Sequence, residues 1–519
     1  MNGLDAWVYR DGRRTVDGAA AARDLATRLA RTGAATGDRR RREAVDALVA
    51  CGMLEAGAAD AAHPSASSLA RLSDALADAA LGGTVPLPRT AAALVLPDAL
   101  AVSTPEGFAY YALHPEGYAR ATAAIDARGR VLVVGIRSIG TTLSAIACAA
   151  LRRRGIDASR ITVRPTGSPY DRRLDLDDGA RRAASAATDV VIVDEGPGLS
   201  GSTFLATAEA VERACSGAVR ITMMCSRAPP TERLIARDAA ARWRRFRTVV
   251  APPDARVRFE GYDLSGGAWR ARRWPDASQW PSVFVQAERR KLLACGRLYK
   301  FEGLGPPGEA VRLRALALAE DGWAPAPRDE GDGWVSYPWL EDRGPPPSLD
   351  RLARYCAARP VLCPASSEPG DLRPMVAKNA ALLLGEARTI GELPIERAAV
   401  ADGRMDRHEW VGGLKTDGAA DGDGHFFPGP TDVAWDLAGV IVEHALDEAR
   451  RQAFLDAYRA ASGDDASRRI DAWIVAYAAF RGGLAALACA SARGTSEEAR
   501  LARDVARYRG VCRAGLPPA

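Results

Sequence analysis

The sequence is poor in histidine and contains no paired-cysteine motif. Five histidines in 519 residues, at positions 63, 114, 408, 425 and 444, form no HxxxH and no His–Cys spacing, which sets a zinc centre aside. Nine cysteines are scattered from Cys51 to Cys512 with no CxxC pair. An odd, dispersed set fits reduced thiols in a cytoplasmic compartment better than a disulfide framework. No stretch approaches the ~18 apolar residues of a spanning helix, and the opening MNGLDAWVYRDGRR lacks the apolar centre of a signal peptide. A cytoplasmic protein without membrane contact is expected. Net charge is also small: 70 basic against 65 acidic side chains give a formal +5. That leaves no electrostatic case for nucleic acid, although anionic small substrates remain compatible. Neither Ser185 nor Ser200 has the flanks of a hydrolase nucleophile elbow.

What is present is ordinary globular material, with 47% hydrophobic and 26% charged residues, in a chain too long for one core. Residues 1–99 read as a helical N-terminal extension, with AAAARDLATRLARTG and RRREAVDALVACGMLEAG carrying apolar residues at three-to-four spacing. From about 100 to 270 strands and helices alternate. Strands are predicted at Gly107–Leu113, Val131–Val134, Ile161–Val163, Val190–Val193 and Arg220–Cys225, with helices through Leu151 and over Thr203–Cys215. This is the pattern of right-handed crossovers in a parallel sheet. Residues 271–284 read as a linker, part of a Trp-, Pro- and Gly-rich region from Ala251 to Pro281. From 285 to 495 a strand at Leu298–Phe301, a helix at Glu309–Glu320 and a strand at Val335–Leu340 lead into a mostly helical segment. Residues 496–519 are read as a tail.

The first chemical motif is Val190-Val-Ile-Val-Asp194-Glu195-Gly-Pro-Gly198-Leu-Ser200-Gly201-Ser202-Thr203. A buried strand ends in adjacent carboxylates, which can accept the two vicinal hydroxyls of a ribose. The glycine turn and helix start that follow offer free N–H groups and hydroxyls to a phosphate. Upstream, Val131-Leu-Val-Val-Gly135-Ile-Arg137-Ser138-Ile-Gly-Thr141-Thr repeats the strand–turn–helix plan, and Arg137 brings a forked donor suited to phosphate oxygens. Between them, Arg164 to Arg173 reads equally as a loop that closes over a diphosphate or as a solvated one. The pair of motifs resembles the type I phosphoribosyltransferase family, with about one extra residue between the acidic pair and the hydroxyl turn. The resemblance implies that Asp194 and Glu195 bind the ribose. It gives Gly198, Ser200, Gly201, Ser202 and Thr203 to the 5-phosphate, and Arg137, Ser138 and Thr141 to the diphosphate. Mg²⁺ and phosphoribosyl diphosphate (PRPP) follow as cofactor and co-substrate.

The second motif set begins with Tyr299-Lys300-Phe301, the helix carrying Glu309, and Val335-Ser-Tyr-Pro-Trp-Leu. It ends with Asp402-Gly-Arg-Met-Asp406-Arg-His408-Glu409-Trp, Leu414-Lys-Thr-Asp417 and Asp432-Val-Ala-Trp-Asp436-Leu-Ala. Together these resemble the aminoglycoside phosphotransferases and choline kinases, without that family's H-G-D-x-x-x-x-N pattern. The resemblance implies ATP and Mg²⁺, with Lys300 on the nucleotide phosphates and Glu309 as its ion-pair partner. Asp402 stands as the base, with Asp406 or Glu409 equally open for that role. His408 stands where the family has a metal-binding amide, and Asp417 binds Mg²⁺. A calcium loop over the acids at 417, 421 and 423 is rejected because Pro428 occupies the position of the required glutamate.

The fold expected is therefore α/β. It combines a phosphoribosyltransferase-like parallel sheet with helices on both faces, a protein-kinase-like α+β domain and the N-terminal helices. The function expected is a bifunctional small-molecule transferase acting on a small-molecule acceptor, with a homodimer as the one assembly considered. Two alternatives stay open: a kinase-like half that only binds nucleotide, and a non-catalytic PRPP or nucleotide sensor in a stress or defence system.

Overall fold

A computed structural model of the chain describes residues 5–215, 219–251, 260–341 and 344–516. Alternation along one strand explains the first sheet. In Val131–Ile136, Val131 and Val133 face one layer and Leu132, Val134 and Ile136 the other, and every residue is buried. A strand apolar on both faces needs helices on both sides. Ile139–Arg153 covers one face with the N-terminal helices, and Ser202–Ala214 covers the other. The five strands pair in parallel in the order Ala158–Val163, Val131–Ile136, Asp189–Val193, Arg220–Cys225, Arg247–Val250. Counted along the chain this is 2-1-3-4-5, so the order reverses between the first and third strands. Ligands of open α/β sheets bind at such a switch point, beyond the strands' carboxyl ends.

A second, antiparallel sheet has the order Tyr262–Asp263, Lys291–Ala294, Arg297–Phe301, Trp334–Pro338, Arg328–Gly331. Its central hairpin turns through Cys295 (φ 48°) and Gly296 (φ 70°), two consecutive left-handed residues as a two-residue turn requires. Helix Gly305–Glu320 follows, and beyond the sheet lie Leu349–Leu362, Arg373–Leu384, Ala434–Glu443, Glu448–Ser462, Ile470–Ser491 and Ser496–Gly515. Ile470–Ser491 is long and apolar enough to cross a membrane by length and composition, contrary to the expectation that no such stretch exists. Here it is a core helix, with Trp473, Tyr477 and Phe480 buried.

Three sequence expectations need correction. Gly107–Leu113 is not a strand: Glu106–Tyr110 is a helical turn entered through Pro105, and the strand lies earlier, at Ala99–Ser103, paired with Arg13–Asp17. A seven-residue run such as GFAYYAL carries too little periodicity to separate the two. The first 99 residues do not stand apart as an extension. Their helices pack on the parallel sheet, while Asp46 accepts the Gly305 N–H at 2.7 Å and Arg41 meets Asp332 at 3.1 Å in the second half. Ser496–Gly515 is no tail, because Leu501, Tyr508 and Cys512 recur at helical spacing and are buried. Parts of the expected linker region (252–259), residues 1–4 and the last three residues lie outside the described residues.

Candidate functional site

The switch point brings together the two glycine-containing turns, after Val131–Ile136 and after Asp189–Val193. Gly140, in the first turn, packs so closely on the carbonyl of Val193 that a Cβ there would sit 2.6 Å from it. Ser138 holds φ 97°, a strained backbone for a residue with a side chain, and such strain clusters where ligands are bound. Asp194 and Glu195 follow at the end of the third strand. The buried Tyr118 donates its hydroxyl to the carbonyls of Asp194 (2.8 Å) and Glu195 (3.3 Å), which fixes the acidic turn. Burial pushes the Asp194 carboxyl up to about 8 and that of Glu195 up to about 7, the latter helped by Glu106. Downstream, Gly198 and Gly201 take positive φ. Ser200 and Ser202 share a hydroxyl contact at 2.9 Å, and Ser202 Oγ donates to the Pro169 carbonyl at 2.6 Å. Pro169 is at the tip of a hairpin, Thr166–Ser168 with Asp171–Arg173, so the segment read as a loop folds over the hydroxyl turn. Thr203 opens the helix beside it.

Two residues of this set are placed otherwise than expected. The Arg137 guanidinium donates to Asp60 Oδ1 (3.2 Å), Ala59 O and Thr162. Arg164 also reaches Asp60, at 2.5 Å. Asp60, at the end of Gly37–Asp60, thus holds both arginines that would meet a diphosphate. Thr141 is wholly buried and its hydroxyl has no partner, so it offers the crevice no surface.

The second site is a cleft between the antiparallel sheet and the helical region, floored by residues 403–427. Lys300 is buried near the end of the sheet's central strand with its Nζ against Asp417 Oδ1 and 3.4 Å from Glu302 Oε1. Burial alone would lower the ammonium, but Asp417 and Glu302 outweigh it and keep it charged. Burial likewise opposes ionisation of Asp417, and Lys300 and Lys291 more than offset it. Glu309 is not the partner of Lys300. It faces the N-terminal helices and pairs with Arg28 and, at 3.2 Å, Arg31. The ion pair needed a residue on the inner face of its helix, and Glu309 is on the outer one.

The two catalytic candidates part company. Asp402 is completely buried behind the cleft, accepts the Tyr355 hydroxyl at 2.5 Å and meets Lys415 at 3.0 Å. Asp436 holds it there by accepting the N–H groups of Asp402 (2.8 Å) and Gly403 (3.2 Å). The Asp432-to-Ala438 motif is therefore a clamp on this loop. Asp406 lines the cleft and is gripped by Arg481. Burial opposes its ionisation, but the charge of Arg481 holds it well below the usual carboxylate range.

Two overlapping groups could hold a metal ion. Asp406, His408 and Glu409 form one, and Glu409, Asp417 and Asp421 the other, with ligand atoms in each group within 4.8 Å of one another. The second is all oxygen and suits a hard cation such as Mg²⁺; a group with an imidazole suits softer metals. His408, unlike Asp417, belongs to the first group. It stacks on Trp269 with ring centroids 5.4 Å apart, and burial lowers its imidazole to about 4. Trp269, Tyr110, Tyr111, Arg289 and His425 also line the cleft. Nothing in their local sequence marks them, because they arrive from segments that meet only in the fold.

No family model and no curated protein sequence matches this chain. Among solved structures, a choline/ethanolamine kinase family protein from Mesorhizobium loti is similar at TM-score 0.31 and 14% identity, over 43% of this chain and 85% of that one. Choline kinase LicA from Streptococcus pneumoniae is similar at TM-score 0.31 and 11% identity, over 43% and 90%. An ethanolamine kinase from Plasmodium vivax is similar at TM-score 0.28 and 11% identity, over 43% and 79%. None of these three is a phosphoribosyltransferase.

Proposed function

We propose that the cleft is an ATP-dependent phosphotransfer site acting on a small-molecule acceptor. One observation carries the reading: a buried lysine at the centre of an antiparallel sheet meets Asp417 of an oxygen-rich acidic group across a cleft. Phosphoryl transfer asks the protein mainly for positioning and charge neutralisation, and this arrangement offers both. Lys300 would hold nucleotide phosphate oxygens. Glu409, Asp417 and Asp421 would hold Mg²⁺, which when bound neutralises charge on the phosphates. Asp406, oriented by Arg481, would receive the acceptor's hydroxyl proton. Calorimetric titration with ATP and Mg²⁺, followed by an ADP-release screen over candidate acceptors, tests this. Loss of ATP binding in Lys300→Ala and Asp417→Asn supports it, and a wild-type protein that binds no ATP sinks it.

A second reading concerns the parallel sheet. The two motif turns flank a topological switch point, which supports a PRPP-binding site there and, with the cleft, the reading of a bifunctional enzyme. PRPP with Mg²⁺ should bind wild type but not Asp194→Asn/Glu195→Gln. Binding without turnover across the acceptor panel would make that half a sensor.

A further inference from the structure

Tyr110 and Arg289 line the cleft and also a second, smaller cavity of about 70 Å³. Arg10, Arg14 and Arg289 converge on that cavity, with Thr104, Ser366 and Ser367 around it. Its carboxylates are already shared between cations. Asp423 meets Arg10 at 2.6 Å and Arg314 at 3.5 Å, while Glu302 meets Arg289 and Lys300, each at 3.4 Å. The remaining acid, Asp11, is exposed and accepts the Arg13 N–H. Positive charge is therefore left over, and Arg14, which meets none of these carboxylates, presents it beside the fixed Arg289.

Arg289 is fixed in place. Its Nη1 donates to the carbonyls of Ala109 (3.3 Å), Phe301 (3.4 Å) and Glu302 (3.2 Å), and its guanidinium carbon lies 5.5 Å from the Tyr110 ring centroid. Arg14 carries the sharper sign, a buried Nε with no hydrogen-bond partner. A buried donor left unpaired costs free energy that an anion would recover. At about 70 Å³ the cavity has less than half the volume of the neighbouring cleft, about 160 Å³, which suits it to a small group such as a phosphate.

We infer that this cavity is an anion subsite for a phosphate monoester carried by the acceptor in the cleft, a role that rests on the phosphotransfer reading above. The acceptor reaches it past Tyr110, and its phosphate is bound by Arg14 and Arg289. A phosphoribosylated molecule formed at the first crevice would bear such a group, so the two sites would act in sequence on one compound.

The test is calorimetric titration of the full chain carrying Asp194→Asn/Glu195→Gln, which removes the ribose site of the parallel-sheet crevice, with ribose 5-phosphate, ribose and inorganic phosphate, alone and combined with Arg14→Ala or Arg14→Lys. ATP with Mg²⁺ is titrated separately. Ribose 5-phosphate should bind at least about tenfold more tightly than ribose, as expected of charge-assisted contacts. Arg14→Ala should lose about that factor and Arg14→Lys recover part of it, with ATP affinity unchanged. Ribose 5-phosphate binding that ignores Arg14→Ala overturns the subsite. Inorganic phosphate binding as tightly as ribose 5-phosphate overturns the acceptor's role and makes free phosphate the ligand. Arg14-dependent binding in a protein that binds no ATP keeps the anion site and overturns the phosphotransfer reading.

Discussion

Arg481 grips Asp406 with both arms: Nη2 is 3.1 Å from each carboxylate oxygen and Nη1 is 3.2 Å from Oδ2. The pair spans 75 residues of sequence and faces the cleft, so it fixes the orientation of Asp406, which lines the site together with Glu409. Asp406→Asn keeps the shape and removes the charge. Its expected outcome is unchanged ATP binding with turnover reduced by about 100-fold or more, the scale lost when a positioned acid–base group is removed. Arg481→Ala should also destabilise, by about 3 kcal/mol or more, because one partner of a buried pair is left uncompensated. Steady-state kinetics and thermal unfolding separate the two effects.

The relationship between Glu309 and the N-terminal helices gives an opposite expectation. Since Glu309 meets Arg28 and Arg31 and does not meet Lys300, Glu309→Gln should leave the KM for ATP unchanged. It should lower the melting temperature modestly, by loosening the docking of Gly18–Ala34. An ATP KM raised tenfold at unchanged stability would restore the lysine–glutamate pairing that the motif suggested.

The sequence was most readable where one strand or helix contains the whole signal. Val131–Ile136 and Asp189–Val193 announce themselves as unbroken apolar runs, and the acidic pair with its glycine turn sits within fourteen consecutive residues, 190–203. It was least readable where partners come from distant segments. Asp60 meets Arg137 across 77 positions, and Trp269 reaches His408 from the other side of the cleft. Asp402 looked catalytic because its neighbours in sequence did, but burial is decided by Tyr355 and Lys415, which arrive from elsewhere. Periodicity fixes which face of a helix is apolar, and it says nothing of which charged residue on the other face will find a partner.

Asp60 is the acid to remove if Arg137 and Arg164 serve a diphosphate. It holds both guanidinium groups in the absence of ligand, and an anion must compete with it. Asp60→Asn should therefore tighten PRPP binding severalfold and steepen its dependence on salt, because two guanidinium groups no longer neutralised by a carboxylate attract the anion more strongly and salt screens that attraction. Calorimetry at two ionic strengths reads both. Weaker binding in this variant would mean that Asp60 orients the arginines and does not compete for them.

The raised carboxyls of Asp194 and Glu195 make the parallel-sheet crevice sensitive to pH in a direction that can be worked out. Burial lifts them to about 8 and about 7, against about 4 in an unfolded chain. Between these values the folded protein retains protons that the unfolded chain has released. Their contribution to stability is present in full below about pH 4 and is lost as pH rises through about 8. Asp194→Asn/Glu195→Gln cannot release those protons, so its melting temperature relative to wild type should climb steadily over that window. Ligand binding runs the other way. If the ionised carboxylates accept the ribose hydroxyls, PRPP affinity should rise with pH up to about 8 and then level off, by up to tenfold per unit for each proton released. Thermal unfolding and PRPP titration across the same buffers check both slopes. Affinity that is flat in pH while stability still falls would mean that the pair is buried without touching the sugar.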